Sequence, residues 1–252
     1  MQPTGLENYT QSKNLLRDDN LYYGDFGKNF ISNSDIDALL NNPASFRKER
    51  PDGKSLAQGR LFHQSLLEPQ KIGEVVSVDA SSRNTKIYKD SLDVLGLQFA
   101  LLKSEVEEVK KWVSVIKSNI SFYDDIYADN TTYEEPEIGS IFGTLFKGKA
   151  DIVRPDCVID LKTSSDINKF KWSASAYNYD SQCFIYQQLF NKPLVFYVID
   201  KETYQLGIFR PTDSFVQKGQ EKVERAIRVY EKYFGPNATE DVANHYIDEI
   251  LL

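Results

Sequence analysis

Apolar positions in this chain keep a helical period up to Ile120 and change period at Glu137, where alternating strands begin. Between Asp93 and Ile120, the residues Leu95, Phe99, Leu102, Val106, Val109, Val113, Ile116 and Ile120 recur at spacings of 4, 3, 4, 3, 4, 3 and 4. Such spacing lays one apolar stripe along a long helix, widened here by Trp112 and Val115. It predicts packing on the core, or an interface if the helix projects. Upstream, Ser34 to Leu40 reads as a short helix behind a polar N-cap, stopped before Pro43, and Leu56 to Leu67 as a second, ended before Pro69. Downstream, Glu137 to Phe146 and Lys147 to Val153 read as strands meeting near Thr144 to Gly148, followed by Cys157 to Lys162. Ala174 to Phe190 returns to helix, ended by Asn191-Lys192-Pro193. Leu194 to Ile199 and Tyr204 to Arg210 form a strand pair. Ser214 to Tyr233 is a helix with Phe215, Val223, Ile227, Tyr230 and Phe234 along one side, and Thr239 to Leu252 is a final helix. This order predicts an α/β fold with a mixed sheet.

Residues 1–30 are polar, with aromatic punctuation at Tyr22, Tyr23, Phe26 and Phe30, and read as an extended, partly ordered lead-in. The remainder, 31–252, suits one domain with its own core. Hydrophobic residues at 41% and charged residues at 27% are ordinary for a globular protein. No run approaches the roughly 20 apolar residues of a membrane span. Met1 to Asn20 lacks an apolar signal core, so a cytoplasmic location is expected rather than export. Cys157 and Cys183 are too few for a disulfide scaffold or a four-cysteine cluster, which agrees with a reducing interior.

The net charge of −7 argues against a phosphate-binding protein until its distribution is considered. Arg47, Lys48, Arg50, Lys54 and Arg60 outnumber Glu49 and Asp52 in one segment, and Lys147, Lys149, Lys162, Lys169 and Lys171 gather in another. Acid concentrates elsewhere, at Glu105 to Glu108, Asp124 to Asp129, Glu134 to Glu137 and the C-terminal tail. A basic cleft on an acidic body is compatible with DNA; the plainer alternative is ordinary solvated charge.

The second lysine group surrounds the chemistry. Asp160 and Lys162 stand at i and i+2 among Val158, Ile159 and Leu161, so on a strand both point to one face. A carboxylate and an ammonium on an apolar strand suit a divalent cation and a phosphate. Asp151, on the preceding strand, supplies a second carboxylate, and Mg²⁺ needs only one or two from protein. Phosphodiester hydrolysis calls for this kit: acidic ligands, a metal, and a cationic group near the transition state. An isolated Asp-x-Lys is common and proves little. His63 lies in an apolar helix one turn after Gly59, either as a further ligand, better suited to Mn²⁺, or as a core histidine. Gln182 and Tyr186 share a helix face, placed to position a phosphate or simply amphipathic. Thr163, Ser164 and Ser165 offer hydroxyls to a backbone phosphate.

Gly59 to His63, Gly148 to Asp151, Asp160 to Thr163 and Gln182 to Tyr186 occur in the order of the G-x-x-x-H, G-x-x-D, D-x-K-T and Q-x-x-x-Y segments of RecB-like proteins. The chain therefore resembles the PD-(D/E)xK nuclease superfamily. Ile31 to Phe46 and Leu61 to Pro69 make it similar to the RecE (exonuclease VIII) type of phages and prophages, over roughly residues 31 to 235. The resemblance implies a restriction-endonuclease-like core, with a central mixed sheet flanked by helices. It further implies a Mg²⁺-dependent exodeoxyribonuclease acting 5′→3′ on the ends of linear duplex DNA, in phage-type recombination or DNA processing. An annealing protein as partner, a ring-shaped homo-oligomer and the cytoplasm of a bacterial host belong to the same expectation, and Mn²⁺ would also be accepted. By position, His63, Asp151, Asp160 and the Leu161 carbonyl would bind metal. Lys162 would be catalytic beside Asp151 and Asp160, and Gln182, Tyr186 and Thr163 would meet substrate. An acidic residue on the strand before Asp151 is also implied, with Glu137 the candidate and Glu135 its competitor. Ala150 stands where the superfamily's motif has proline, a departure common in the RecB-like group. An endonuclease or branch-processing nuclease of the same fold, or a non-catalytic DNA-binding protein, are the alternatives.

Overall fold

The structure, a computed structural model, describes residues 6–49 and 51–247. Two helices, α1 (Leu6–Leu15) and α2 (Asp19–Tyr23), occupy the stretch expected to be extended. Asp18 caps α2 by accepting from Asn20 N–H at 2.8 Å. Then come α3 (Asn33–Asn41), entered through Ser32, whose N–H donates to Asp35 Oδ2 at 2.8 Å, and α4 (Lys54–Leu67). Both agree with the sequence pattern.

The expected long helix is divided. It becomes α5 (Lys86–Leu95) and α6 (Lys103–Ser118), with β2 (Leu101–Leu102) between them pairing in parallel with β1 (Ser77–Val78). Gly96 causes the break. Its φ of +64° is accessible to glycine, and Gly96 N–H and Leu97 N–H bond back to Asp93 O (3.3 Å) and Leu92 O (3.1 Å), a Schellman closure. Of the expected stripe, Val109 and Ile116 are fully buried beside Trp112, while Ile120 is 78% exposed at the start of α7 (Ile120–Ile126).

A five-stranded sheet follows. Its strands are β3 (Thr132–Ile141), β4 (Thr144–Val153), β5 (Val158–Ser164), β6 (Leu194–Asp200) and β7 (Leu206–Phe209), hydrogen-bonded in that order. All pairs are antiparallel except β5 with β6. The crossover between these two carries α8 (Phe170–Ala176) and α9 (Tyr179–Phe190), where the pattern gave one helix. Asn178, at φ +57°, separates them. The first hairpin turns at Phe142 and Gly143, earlier than expected, and β3 begins well before Glu137. Pro136 masks that start in the sequence, yet β3 is an edge strand, where a residue without an N–H is tolerated. After α10 (Asp213–Tyr233), the expected final helix is reduced to one short turn at Val242–Asn244; residues 248–252 lie outside those described.

The sheet separates two apolar layers. Phe196 and Val198 join Ile36, Leu39, Phe146, Ala150, Val158, Ile185, Val223 and Ile227 on one side. Tyr197 and Ile199 join Leu61, Phe62, Val109, Trp112, Ile116, Ile152, Ile159 and Leu161 on the other, as strand alternation requires. Among the described residues, no helix is long and apolar enough to cross a membrane. The first layer depends on α10 crossing α9 closely at Gly219, where a Cβ would lie 2.0 Å from Asp180 O. Gly219→Ala is expected to cost about 3 kcal/mol, the upper end of overpacking, as measured by urea unfolding. A parent-like midpoint would refute that close crossing.

Candidate active site

The central feature is a fork between β4 and β5. These strands pair only at Ile152 with Ile159 and Val153 with Val158. Continuing that register would set Asp151 opposite Asp160, but there the backbones part. Asp151 Oδ2 accepts the Leu161 N–H at 2.7 Å, replacing a ladder bond with a side-chain bond. Farther along β4, Ile31 fills the vacated edge: its N–H donates to Leu145 O (2.9 Å) and its carbonyl accepts from Lys147 N–H (2.8 Å). All backbone groups named here are thus satisfied while the gap stays open.

Side chains enter the fork from both layers. From α4, His63 Nδ1 lies 3.3 Å from Asp151 Oδ1, with 27% of its side chain still exposed. From α9, Gln182 Nε2 donates to Asp160 Oδ1 at 2.6 Å, and Tyr186 OH donates to Lys149 O at 2.8 Å. Both donors are buried, so two of the three residues expected to touch substrate, Gln182 and Tyr186, face protein here. Gly148 makes this possible, because a Cβ there would stand 3.1 Å from both Tyr186 and Leu189. Lys162 Nζ sits 2.5 Å from Asp160 Oδ2 and 4.8 Å from the centre of the Tyr179 ring. That Asp160 oxygen is buried, and despite the close ammonium it receives no hydrogen bond of acceptable angle. Thr163 follows on β5, half-buried and in register with Ile199.

Three residues, His63, Glu134 and Asp151, each offer one ligand atom, all within 4.8 Å of one another. The glutamate in this group is Glu134, not the candidate Glu137 or its competitor Glu135. Glu135 and Glu137 are engaged from the N-terminal segment instead: Lys13 of α1 reaches both (3.1 and 2.7 Å), and Arg17, just past α1, reaches Glu135 at 2.7 Å. The register puts Glu134 across from Asp151, but its φ of +48° interrupts the ladder, a departure that strand alternation alone does not foretell. Asp160 stands beside the trio, held by Gln182 and Lys162.

The charges fit a cation. Burial and the Asp151 charge push the Glu134 carboxyl up to about 8, against the opposing pull of His63. Burial would raise Asp151 too, but His63, Lys162 and the Leu161 N–H together hold it below the usual range. Burial and the Asp151 charge keep Asp160 raised, although Lys162 opposes them. A neutral glutamic acid packed on an aspartate is what a carboxylate cluster becomes without a positive ion between its members. One nitrogen and two carboxylate oxygens suit Mg²⁺ or Mn²⁺ better than a thiophilic metal.

The lysine and arginine clusters are largely paired. Lys147 donates to Tyr22 O, and burial lowers it to about 8. Lys149 is ion-paired with Asp19, which also holds Lys71 at 2.8 Å. Arg60 makes a two-pronged contact with Asp52 (2.9 and 2.7 Å), Lys54 approaches Glu105 at 3.6 Å, and Arg47 donates to Phe30 O at 3.0 Å. Arg50 lies outside the described residues.

The central mixed sheet flanked by helices, with Asp151, Asp160 and Lys162 together on it, is the core that the PD-(D/E)xK resemblance implies. The chain belongs to the family described as a PDDEXK-like domain of unknown function (DUF3799), whose model matches residues 33–239. Its fold is similar to a crystal structure from Eubacterium rectale described as a "putative exonuclease", with a TM-score of 0.62 and 17% identity over 100% of this chain and 97% of that one. A second structure, SSO0001, aligns over 77% of this chain and 84% of its own at 19% identity, but with a TM-score of 0.31. No curated protein matches the chain in sequence.

Burial alone would lower His63, but the Asp151 charge and hydrogen bond raise it from 6.5 to about 9. While Asp151 is ionised, the His63–Asp151 pair therefore supports the metal-free fold fully below pH 6.5 and loses its effect as pH climbs through about 9. A cation held by the trio must displace the protons of His63 and Glu134, so its affinity must rise over the same interval. Calorimetric Mn²⁺ titration near pH ~7.5, in buffers of different ionisation enthalpy, is expected to register release of about one to two protons. His63→Ala and Glu134→Gln should each weaken binding at least about tenfold. Binding without proton release would exclude this ligand set.

Proposed function

We propose that the protein is a metal-dependent exodeoxyribonuclease of the RecE type, acting on linear duplex DNA 5′→3′. The observation that carries this reading is the fork itself, where Asp151, Asp160 and Lys162 converge with His63 and Glu134. The family's PDDEXK-like description and the exonuclease name of the Eubacterium rectale structure support it. In this reading residues from 31 onward are one nuclease domain, preceded by the added helices α1 and α2.

His63, Glu134 and Asp151 would hold the cation, with Asp160 and the Leu161 carbonyl as further donors, and Mg²⁺ is the proposed ion. When bound, it supplies Lewis acidity toward the phosphate. The protein's own groups do the remaining work. The Lys162 ammonium stays charged, since Asp160, Tyr179 and Asp151 outweigh the effect of its burial. It can therefore offset the negative charge that grows on the phosphate in the transition state. Gln182 fixes Asp160 Oδ1, leaving Oδ2 to Lys162 or to the ion. Tyr186 holds β4 through the Lys149 carbonyl, two residues from Asp151, and so acts as a positioning residue. Thr163 follows Lys162 as the proposed hydroxyl contact to the DNA backbone.

Lys162→Ala and Asp160→Asn are expected to lower the cleavage rate with Mg²⁺ by at least about 10²- to 10³-fold. Linear duplexes labelled at either the 5′ or the 3′ end, run beside closed-circular duplex, decide the mode of attack. Release of 5′ label from linear DNA alone is expected. Cutting of closed circles would instead establish an endonuclease, and parent-like rates in both variants would remove these residues from the chemistry.

A further inference from the structure

Beyond the fork, α8 and the residues after it expose two large aromatic rings, Trp172 and Tyr177, each 66% accessible. Single exposed aromatics are common; the position and support of Tyr177 set it apart. Its ring centre is 5.8 Å from that of Tyr179, whose ring lies 4.8 Å from Lys162 Nζ. A phosphate meeting Lys162 would thus have the adjoining nucleotide within reach of an open tyrosine face.

The support is unusually firm for a surface residue. Tyr177 closes α8, and the following Asn178 adopts a left-handed conformation, φ +57° and ψ +34°. Lys222, from α10, pins this kink by donating to Ser175 O (2.6 Å), Asn178 Oδ1 (3.0 Å) and Asp180 Oδ1 (2.9 Å). Asp180 is fully buried and also accepts from Ser175 Oγ at 2.5 Å, while Asn33 Nδ2 donates to Asn178 O at 3.1 Å. A buried ion pair of this kind gains little over an apolar contact, but it fixes one geometry. The local charge is also favourable. From Lys162 to Tyr177 the sequence carries Lys162, Lys169 and Lys171 against Asp166, in a chain of net charge −7; Lys162 is paired with Asp160 and Lys169 with Asp166 at 3.0 Å, and Lys171 Nζ stands 4.1 Å from the Trp172 ring centre.

We propose that Tyr177 is a stacking platform for an unpaired base next to the scissile phosphate, so that DNA is engaged as a single-stranded or splayed end rather than as intact duplex. Bases inside a duplex present only their edges, and a ring face can take a base only once it has left the stack. Stacking of this kind tolerates any sequence, as a processive end-directed enzyme requires, and is worth about 1–3 kcal/mol per base. This inference rests on the nuclease reading for its choice of DNA, and its test separates the two.

Fluorescence anisotropy with a labelled single-stranded oligothymidylate, and with the same phosphate chain lacking its bases, measures the contact without cleavage. Tyr177→Ala is expected to weaken oligothymidylate binding about 5- to 150-fold, the range that 1–3 kcal/mol corresponds to. Tyr177→Phe should bind as the parent does, and the base-free chain should bind parent and Tyr177→Ala alike. On DNA, Tyr177→Ala should raise KM for splayed ends with kcat little changed. If parent and Tyr177→Ala bind oligothymidylate equally, or neither binds it, the platform is wrong even if the parent cuts linear DNA. If the tyrosine effect is present but the parent cuts no DNA, the platform stands and the nuclease reading fails.

Discussion

Two antiparallel strands that stop pairing after two residue pairs would ordinarily leave backbone donors and acceptors without partners in the middle of a sheet. Here the Asp151 carboxylate takes the Leu161 N–H, and Ile31 closes the far edge of β4. Everything at the candidate site depends on this exchange. Without it β4 and β5 would zip together and turn Asp151 and Asp160 into one more cross-strand pair. With it, the gap is reached by His63 from the α4 layer and by Gln182 from the α9 layer, which a continuous sheet would keep apart. Asp151 serves both the backbone and the cluster, so its removal would disturb the architecture as well as the chemistry.

The electrostatic arrangement follows from the same opening. Carboxylates crowded into a partly desolvated gap cannot all stay ionised, and burial together with the Asp151 charge holds both Glu134 and Asp160 above the usual range. Lys162 and His63 offset part of this effect from opposite sides. The acidic character of the chain is less of a paradox once pairing is taken into account. Much of the positive charge that the sequence suggests for DNA is matched locally, by Asp19 for Lys149 and by Asp52 for Arg60. Beyond Lys162, Lys169 is paired with Asp166 in turn, while Lys171 lies over the Trp172 ring.

The strand order and the Asp-x-Lys face were legible because alternation and apolar neighbours constrain β5 tightly; Val158, Ile159 and Leu161 are all buried. His63 and Gln182 were legible only through their order along the chain, since neither stands out by periodicity. What escaped was set by single backbone conformations. Gly96 and Asn178 each interrupt an otherwise continuous helical pattern with a left-handed residue. Glu134 sits in the same region on a strand, where the resemblance pointed to Glu137, with Glu135 its competitor. Both of those turned out to be partners of α1, whose own pattern is too weakly amphipathic to announce a helix.

Helix α9 has a mechanical consequence of its own. It grips one prong of the fork through Gln182 and Asp160 and the other through Tyr186 and the Lys149 carbonyl, one helical turn apart. Leu189, a further turn fragment along, would crowd a side chain at Gly139 and at Gly148 alike, so the helix is seated by two glycines rather than by matched side chains. The helix therefore acts as a rigid gauge block, whose seating depth sets the spacing of the two aspartates together. Bulk added or removed where it rests on the strands would retune the aperture without altering any charged group, leaving the width of the centre and its composition as separately adjustable properties.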